Sequence, residues 1–287
     1  MFKFPISKTK IIPPRRRPEL LARRRLLEMF YDMLERKLTL VSAPAGYGKT
    51  SLLIDAALEC EFKCCWLSLD ELDRDPQRFL AYLVASIGER FPGVGAQTAA
   101  LMTGAATLEE EMERLAVTRV NETLEGIKEH FVLILDDFHI LDGVQPIYDF
   151  LNRFIQLADD NCHMVVSSRT LTILSDLPLM VAREQVSGLS FSDLAFRKNE
   201  IQELILQNNN VHISDDDAQK LIGESEGWIT GLQFSGSLFT RAGSANPVVN
   251  TGADLFDFLG QQVVDRQKPE LRDVLLRTSL IVFFSPL

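Results

Sequence analysis

The spacing of apolar residues predicts that strands alternate with helices over the first two thirds of the chain. Continuous apolar runs at residues 38–41, 63–69, 131–135 and 163–167 are typical of strands buried on both faces, and a shorter run at 184–186 suggests a last strand. Helical periodicity connects them, over residues 19–37, 51–58, 76–91, 108–127 and 147–157, and residues 93–107 have a loop composition. This alternation predicts an α/β fold, three layers with a mainly parallel sheet.

After about residue 190 the pattern becomes helical only. Apolar residues recur at helical spacing over residues 198–208, Asp215–Ser225, 228–241, 253–266 and 269–278, with glycine, proline and asparagine between the segments. We therefore expect a small all-helical domain after the α/β domain. The apolar end at residues 283–287 suggests a chain cut from a longer protein.

Composition narrows the class of protein. Apolar residues make up 46% of the 287 positions, enough for a substantial core. No apolar run approaches the roughly 20 residues that span a bilayer, and no apolar segment of a signal peptide follows the first residues, so we expect a cytoplasmic protein without a membrane partner. The four cysteines lack the C-x-x-C and histidine spacings of metal sites, which favours small core residues.

The net charge of −10 is unevenly distributed. Residues 1–37 carry 11 Lys/Arg and 4 Asp/Glu (11 − 4 = +7), and the remainder carries 19 and 36 (19 − 36 = −17). An acidic body repels the nucleic-acid backbone, so the chain is a poor DNA binder by itself. The basic runs at residues 15–17 and 23–25 are better interpreted as solvated surface or as a clamp beside a ligand than as a DNA-binding arm.

Residues 43–50, Ala-Pro-Ala-Gly-Tyr-Gly-Lys-Thr, carry the most specific chemical signal. They lie between a predicted strand and a predicted helix, and four residues separate Ala43 from the Gly-Lys-Thr triplet, as in a Walker A loop. Lys49 would then reach the β- and γ-phosphates and Thr50 would bind Mg²⁺. Ala43 replaces the usual first glycine, which is acceptable if its φ is negative. The expected nucleotide-binding residues are Pro44, Ala45, Gly46, Tyr47, Gly48, Lys49, Thr50 and Ser51.

The apolar run at residues 131–135 ends in two carboxylates, as a Walker B strand does. Such residues lie at the carboxyl edge of a parallel sheet, where ligands bind. We expect Asp136 to hold Mg²⁺, and Asp137 to orient or deprotonate the attacking water. His139 either senses the γ-phosphate or packs beneath the sheet edge, and packing is the simpler interpretation.

A candidate sensor follows the neighbouring strand. Arg169 comes just after the run at 163–167, and a cation there can reach the γ-phosphate and respond to hydrolysis. The competing interpretation is a surface arginine after a strand. In the helical region, Trp228 is expected in a local core, with a role over the nucleotide base as the alternative.

Several segments together resemble one family. They are residues 13–18 (Pro-Pro-Arg-Arg-Arg-Pro), the loop at 41–50, residues 135–139 (Leu-Asp-Asp-Phe-His), 167–169 (Ser-Ser-Arg), 226–228 (Glu-Gly-Trp) with 231–233, and 275–279 (Leu-Leu-Arg-Thr-Ser). This combination resembles the nucleotide-binding region of the MalT-type STAND P-loop ATPases, which are large ATP-dependent LuxR-type transcriptional regulators. The resemblance covers almost the whole chain.

The resemblance implies a nucleotide-controlled switch. ADP would hold a resting monomer, while ATP and an inducer bound outside this chain would allow self-association, and slow Mg²⁺-dependent hydrolysis would reset it. DNA would be contacted only through a domain absent from this chain. Lys49, Thr50, Asp136, Asp137 and Arg169 would take the family roles described above.

The same resemblance completes the domain plan. It implies that Arg15 and Arg17 lie near the adenine. We expect a basic arm and helix over residues 1–37, a P-loop domain over 38–189, a helical lid-like domain over 190–249, and helices over 250–287 that lead into a truncated winged-helix domain.

Other P-loop functions remain open at this point. A mechanical or clamp-loading ATPase would need an arginine donated between subunits of a stable ring. A small-molecule kinase would need an arginine-rich lid, and residues 171–182 are instead apolar. A nucleotide-binding scaffold would bind the same ligand with negligible turnover.

Overall fold

The computed structural model describes residues 5–92, 127–172, 174–230 and 272–273. The loop predicted at 93–107, nearly all of the helix predicted at 108–127, and most of the helical segments predicted after residue 230 lie outside these ranges. The chain divides into two compact units, Met1–Ala195 and Phe196–Leu287.

The first unit contains a five-stranded parallel sheet. Its strands are β1 (Leu38–Ser42), β2 (Lys63–Ser68), β3 (Phe131–Asp136), β4 (Cys162–Ser168) and β5 (Val186–Leu189), in the order β2-β3-β4-β1-β5. Every pair is parallel, with Leu38 opposite Met164 and Cys65 opposite Leu133. The first four strands confirm the predicted ones within two residues.

The last strand begins later than predicted. The apolar run suggested a strand at residues 184–186, but β5 starts at Val186. Glu184 has a positive φ of 55° and the amide of Gln185 donates to the carbonyl of Met180, so these residues close the preceding helix instead. The chain becomes extended only after this reversal.

Helices cover both faces of the sheet. They are α1 (Lys8–Ile11), α2 (Arg24–Met33), α3 (Lys49–Glu59), α4 (Pro76–Arg90), α5 (Gln145–Leu157), α6 (Leu177–Ala182) and α7 (Phe191–Leu194), with 3₁₀ turns at Glu71–Arg74 and Phe138–Leu141. Helix α4 begins as its sequence predicts, because the Asp75 side chain accepts the Gln77 amide and Pro76 occupies the first turn. Helices α1, α6 and α7 were not anticipated.

Helix α2 is shorter than the predicted 19–37. It starts at Arg24 because Arg23 has a non-helical backbone, with φ −90° and ψ 86°. Beyond its other end, the amides of Lys37 and Leu38 both donate to the carbonyl of Gln185. These residues therefore pair with the segment before β5 and are not part of a helix. The apolar periodicity therefore extended beyond the hydrogen-bonded helix.

Alternate strand residues belong to two separate cores, as a three-layer fold requires. Cys65, Leu133 and Met164 pack with α4 and α5 on one face. Trp66, Ile134 and Val165 pack with α2 and α3 on the other. Cys64, Cys65 and Cys162 are buried, which confirms their assignment to the core, while Cys60 is half-buried. The predicted three-layer α/β arrangement, a parallel sheet between two helical layers, is confirmed.

In the second unit, the described residues form two helices, α8 (Lys198–Asn209) and α9 (Asp215–Ser225), at the predicted positions. The Ser214 side chain accepts the Asp217 amide at the start of α9, and Asn210 ends α8 in a left-handed conformation. Trp228 is half-buried. Across the described ranges of both units, no helix combines the length and apolarity needed to cross a membrane.

Candidate functional site

The carboxyl ends of β1, β3 and β4 meet at one edge of the sheet. Ser42 lies opposite Ser168 in the register of β1 and β4, and Leu135 lies opposite Val166 in that of β3 and β4. The segments that follow these strands are therefore neighbours, and they contain the predicted phosphate loop, the two aspartates and Arg169. Parallel open sheets bind their ligands at this edge.

The loop between β1 and α3 has the backbone that its glycines allow. Gly46 and Gly48 have φ of 86° and 83°, values that side chains disfavour, and Gly48 is the N-cap of α3. The φ of Ala43 is not positive, and its amide donates a hydrogen bond to the Ser168 carbonyl. The alanine thus continues β1 without strain, which satisfies the condition set for its substitution.

Lys49 opens helix α3 and folds back over the loop. Its ammonium donates to the carbonyl oxygens of Ala43 at 2.7 Å and Pro44 at 3.1 Å, and the residue is only 6% exposed. The pKa of Lys49 is lowered to about 8. Burial is the main cause and the positive charge of Arg169 acts in the same direction, while the negative charge of Asp137 opposes them. A buried cation at a helix N-terminus is suited to an anionic ligand.

The two predicted metal ligands are in direct contact. The Thr50 hydroxyl donates to Oδ2 of Asp136 at 2.9 Å, and the Ser167 hydroxyl donates to Oδ1 of the same carboxylate. Burial raises the pKa of Asp136, as does the neighbouring charge of Asp137, whereas the two hydroxyl bonds and Lys49 favour its ionised form. A hydroxyl beside a buried carboxylate is an oxygen donor set of the kind that Mg²⁺ prefers.

Asp137 differs sharply from the buried residue before it. Its side chain is 42% exposed, and its backbone is left-handed at φ 61° and ψ 38°. Its charge acts on Lys49 across the site. Nδ1 of His139 lies 3.8 Å from its carboxylate, and the His139 side chain is 11% exposed. Asp137 thus combines proximity to the loop with access to water, which a carboxylate that orients or deprotonates water requires.

The structure brings Arg169 to the same site. The residue is half-buried immediately after β4, and its charge influences the pKa of Lys49. The next residue, Thr170, donates to Asp142 at 3.1 Å, and the Tyr148 hydroxyl donates to the other oxygen of that carboxylate at 2.7 Å. The segment that carries the predicted sensor is therefore tied to the turn that follows Asp137.

The basic arm is held by residues other than those predicted to bind the nucleotide. Arg15 and Arg17 are exposed. Between them, Arg16 forms an ion pair of 2.5 Å with Asp55, a buried residue of α3. Further along, Arg23 is buried and donates to the carbonyls at residues 194 and 195, at 2.7 and 3.0 Å. The arm is thus anchored to the phosphate-loop helix, while contacts of Arg15 and Arg17 with a nucleotide remain a prediction.

Two features of the site were missed by the sequence reasoning. Ser167 contacts both Walker B residues, but the sequence indicated it only as part of a strand and of the Ser-Ser-Arg segment, without a role of its own. Phe191 is 56% exposed and packs edge-on against Tyr47 of the phosphate loop, with ring centroids 6.3 Å apart. The useful signal was topological, because Ser167 is the penultimate residue of the strand beside β3 and Phe191 follows the strand beside β1. Element order alone does not reveal that adjacency.

The fold and the loop together define a P-loop NTPase domain. A Walker-type ATPase of Pyrococcus abyssi has a similar structure, with a TM-score of 0.52 over 93% of this chain and 79% of that one. The two sequences are 17% identical, so this likeness concerns the fold alone. A scan against models of protein families gives no match.

Sequence similarity connects the chain to a more specific group of proteins. It is 30% identical over 282 residues, 95% of its length, to the HTH-type transcriptional regulator MalT of Yersinia enterocolitica, and it matches MalT of Yersinia pestis with the same identity and coverage. The resemblance drawn from the sequence motifs is thereby confirmed. The match spans 30% of the length of these regulators.

Proposed function

We propose that this chain is the ATP- and ADP-binding switch module of a MalT-like transcriptional regulator that acts in the cytoplasm. The observation that supports this most is the bond between Thr50 and Asp136, beside the buried ammonium of Lys49. A phosphate loop, a metal-ligand pair and a compensating cation are the parts that bind a magnesium nucleotide. The similarity to MalT favours use of that nucleotide as a signal.

Each side chain has a role in this proposal. Lys49 exchanges the carbonyls of Ala43 and Pro44 for phosphate oxygens, while Thr50 and Asp136 hold the metal. Magnesium held by these two residues would supply positive charge to neutralise the phosphates. Asp137 orients the attacking water and accepts its proton.

Two further groups complete the nucleotide site. Arg169 stabilises charge on the γ-phosphate, and its anchored segment links that contact to the turn after Asp137. Arg15 and Arg17 lie on an arm fastened to α3 by Arg16, which supports their placement beside the base. An exposed arginine can stack on an aromatic base while it remains hydrated.

The bound nucleotide controls whether the module associates with itself. ADP holds the resting monomer, and ATP with an inducer bound outside this chain permits self-association through this module. Slow hydrolysis returns the protein to its resting state. DNA is contacted by a domain outside this chain, which agrees with an acidic body that repels the DNA backbone.

Sedimentation velocity of this module tests the switch directly, because the part that responds to the inducer lies outside it and the nucleotide alone should then control association. We expect a monomer with Mg-ADP, a larger species with Mg²⁺ and a non-hydrolysable ATP analogue, and no response in Lys49→Ala. The same species with both nucleotides would contradict switching. A stable ring with ADP would support the clamp-loader alternative, and binding without any phosphate release from ATP would support the scaffold.

A further inference from the structure

Ser167 occupies a position between the two aspartates of the site. It is the penultimate residue of β4, one position beyond the pair formed by Val166 and Leu135, and its exposed fraction is 0%. Its hydroxyl donates to Oδ1 of Asp136 and accepts the backbone amide of Asp137 at 3.1 Å. One side chain therefore contacts both residues that follow the apolar part of β3.

The bond to Asp136 restricts the orientation of its carboxylate. Ser167 contacts Oδ1 and Thr50 contacts Oδ2, so two hydroxyls on different elements hold the two oxygens. The serine hydroxyl has a single proton, and its donation to Asp136 leaves only lone pairs toward the Asp137 amide. The Ser167 hydroxyl is therefore the donor to Asp136 and the acceptor from the Asp137 amide.

The bond from the Asp137 amide has a conformational role. Asp137 has a left-handed backbone at φ 61°, a conformation that is unfavourable for a non-glycine residue. The hydrogen bond from the Asp137 amide to the Ser167 hydroxyl offsets part of that cost, since a buried hydrogen bond stabilises the conformation that forms it. This backbone conformation turns the Asp137 side chain out of the buried strand, where it is 42% exposed.

We propose that Ser167 is a positioning residue for magnesium-dependent nucleotide binding. It holds Asp136 in the orientation that pairs with Thr50, and it sets the backbone from which Asp137 faces water. This role rests on the proposed nucleotide site. Ser167 would not bind the metal itself but would orient a residue that does. Its removal should therefore weaken magnesium binding, since residues that hydrogen-bond metal ligands typically contribute 10- to 100-fold to metal affinity.

Magnesium-dependent affinity separates this role from simple packing. ADP affinity is measured by calorimetry with Mg²⁺ and again with EDTA, in the parent and in Ser167→Ala. We expect the gain produced by Mg²⁺ to fall about 10-fold or more in the variant, while its metal-free affinity stays within about twofold of the parent. A packing role would instead lower both affinities together or leave both unchanged.

Three more variants sharpen the comparison. Ser167→Thr retains a hydroxyl in a strand-compatible residue and should restore most of the magnesium gain. Ser167→Cys is close in size but a weak donor, so it should behave like alanine and carries the test if the alanine variant does not fold. Ser86→Ala is the control, because Ser86 is equally buried but its hydroxyl donates to the Leu83 carbonyl within α4, away from the two aspartates.

The outcomes distinguish the two proposals. A folded Ser167→Ala or Ser167→Cys variant with the full magnesium gain would overturn the positioning role while the nucleotide site stands. A parent protein that binds no magnesium nucleotide would overturn the proposed function, and the role of Ser167 with it. An equal loss in Ser86→Ala would also overturn the positioning role, because the effect would then be general.

Discussion

Thr50 donates a hydrogen bond to Asp136 over 2.9 Å, although 86 positions separate the two residues in the chain. Thr50 lies in the first turn of α3, the helix after the phosphate loop, and Asp136 is the last residue of β3. Their contact follows from the parallel register, which brings the ends of β1, β4 and β3 to one edge. The sheet topology thus places two oxygen-bearing side chains, those of Thr50 and Asp136, together beside the phosphate loop.

Replacement of Asp137 should separate binding from turnover. In Asp137→Asn we expect ATP affinity within about threefold of the parent and a loss of hydrolysis of about 100-fold or more, because the amide cannot accept the proton of water. Calorimetry and a phosphate-release assay measure the two quantities. Asp142→Asn is a comparison at the turn beyond, and unchanged hydrolysis in Asp137→Asn would remove that residue from catalysis.

Adjacent arginines should contribute very differently to stability. Arg23→Ala leaves two carbonyls in the α7 region without their charged donor, and we expect it to lower the free energy of unfolding by about 2–4 kcal/mol. Arg24 has a 74% exposed side chain that pairs with Glu59, so Arg24→Ala should cost about 0–1 kcal/mol. Urea denaturation compares the two, and equal losses would be inconsistent with the anchoring role of Arg23.

His163 should make the stability of the first unit depend on pH. Its Nδ1–H donates to the Arg36 carbonyl, Nε2 accepts from Thr39, and burial lowers its pKa to about 4. The unfolded chain takes up a proton near pH 6.5 and the folded chain only near pH 4, so stability falls as pH drops through this interval. The expected contribution is about 2 kcal/mol between pH 7 and pH 5.

Denaturation at both pH values measures that effect. His163→Gln should be less stable at pH 7 but lose less on acidification, because the substituted side chain does not titrate in this range. His130→Gln is the control at an exposed histidine and should retain the parent's pH response. An equal response in His163→Gln and the parent would show that another group is responsible.

The phosphate loop should be sensitive to the loss of Gly48. Its φ of 83° makes Gly48→Ala strained although an added Cβ has no heavy atom within 4 Å, and we expect a cost of about 1 kcal/mol together with weaker ADP binding. Gly223→Ala in α9 also meets no neighbour but lies in a helix, where it should be neutral or stabilising by about 1 kcal/mol. Thermal unfolding distinguishes the two, and an equal response would contradict a conformational origin.

The sequence predicted those parts of the fold that local physics determines. Buried strands appear as continuous apolar runs, so β1 to β4 were placed within two residues, and Asp75-Pro76 marked the start of α4 because both residues favour a helix N-terminus. Helix α2 was overextended, since apolar spacing cannot detect the non-helical backbone of Arg23 or the sheet bonds of Lys37.

The sequence identified the motifs of the candidate site, but it did not identify every residue that lies beside them in space. The loop at residues 43–50, Asp136 and Asp137 were found because each motif is local. Ser167 and Phe191 were missed because their proximity depends on the strand order β2-β3-β4-β1-β5, which element order does not reveal. The anchoring of Arg16 on Asp55 was missed for the same reason, as it joins distant segments.

Calorimetry of Mg-ADP binding to the parent and to Lys49→Ala tests the central claim most directly. Lys63→Ala is the control, because Lys63 begins β2 at the opposite end of the sheet and is 45% exposed beside Glu129. We predict that Lys49→Ala weakens ADP binding by about 10- to 100-fold, the value of a charge-assisted hydrogen bond, and that the control binds like the parent. Equal affinity in Lys49→Ala and the parent would contradict the assignment of this loop as the nucleotide site.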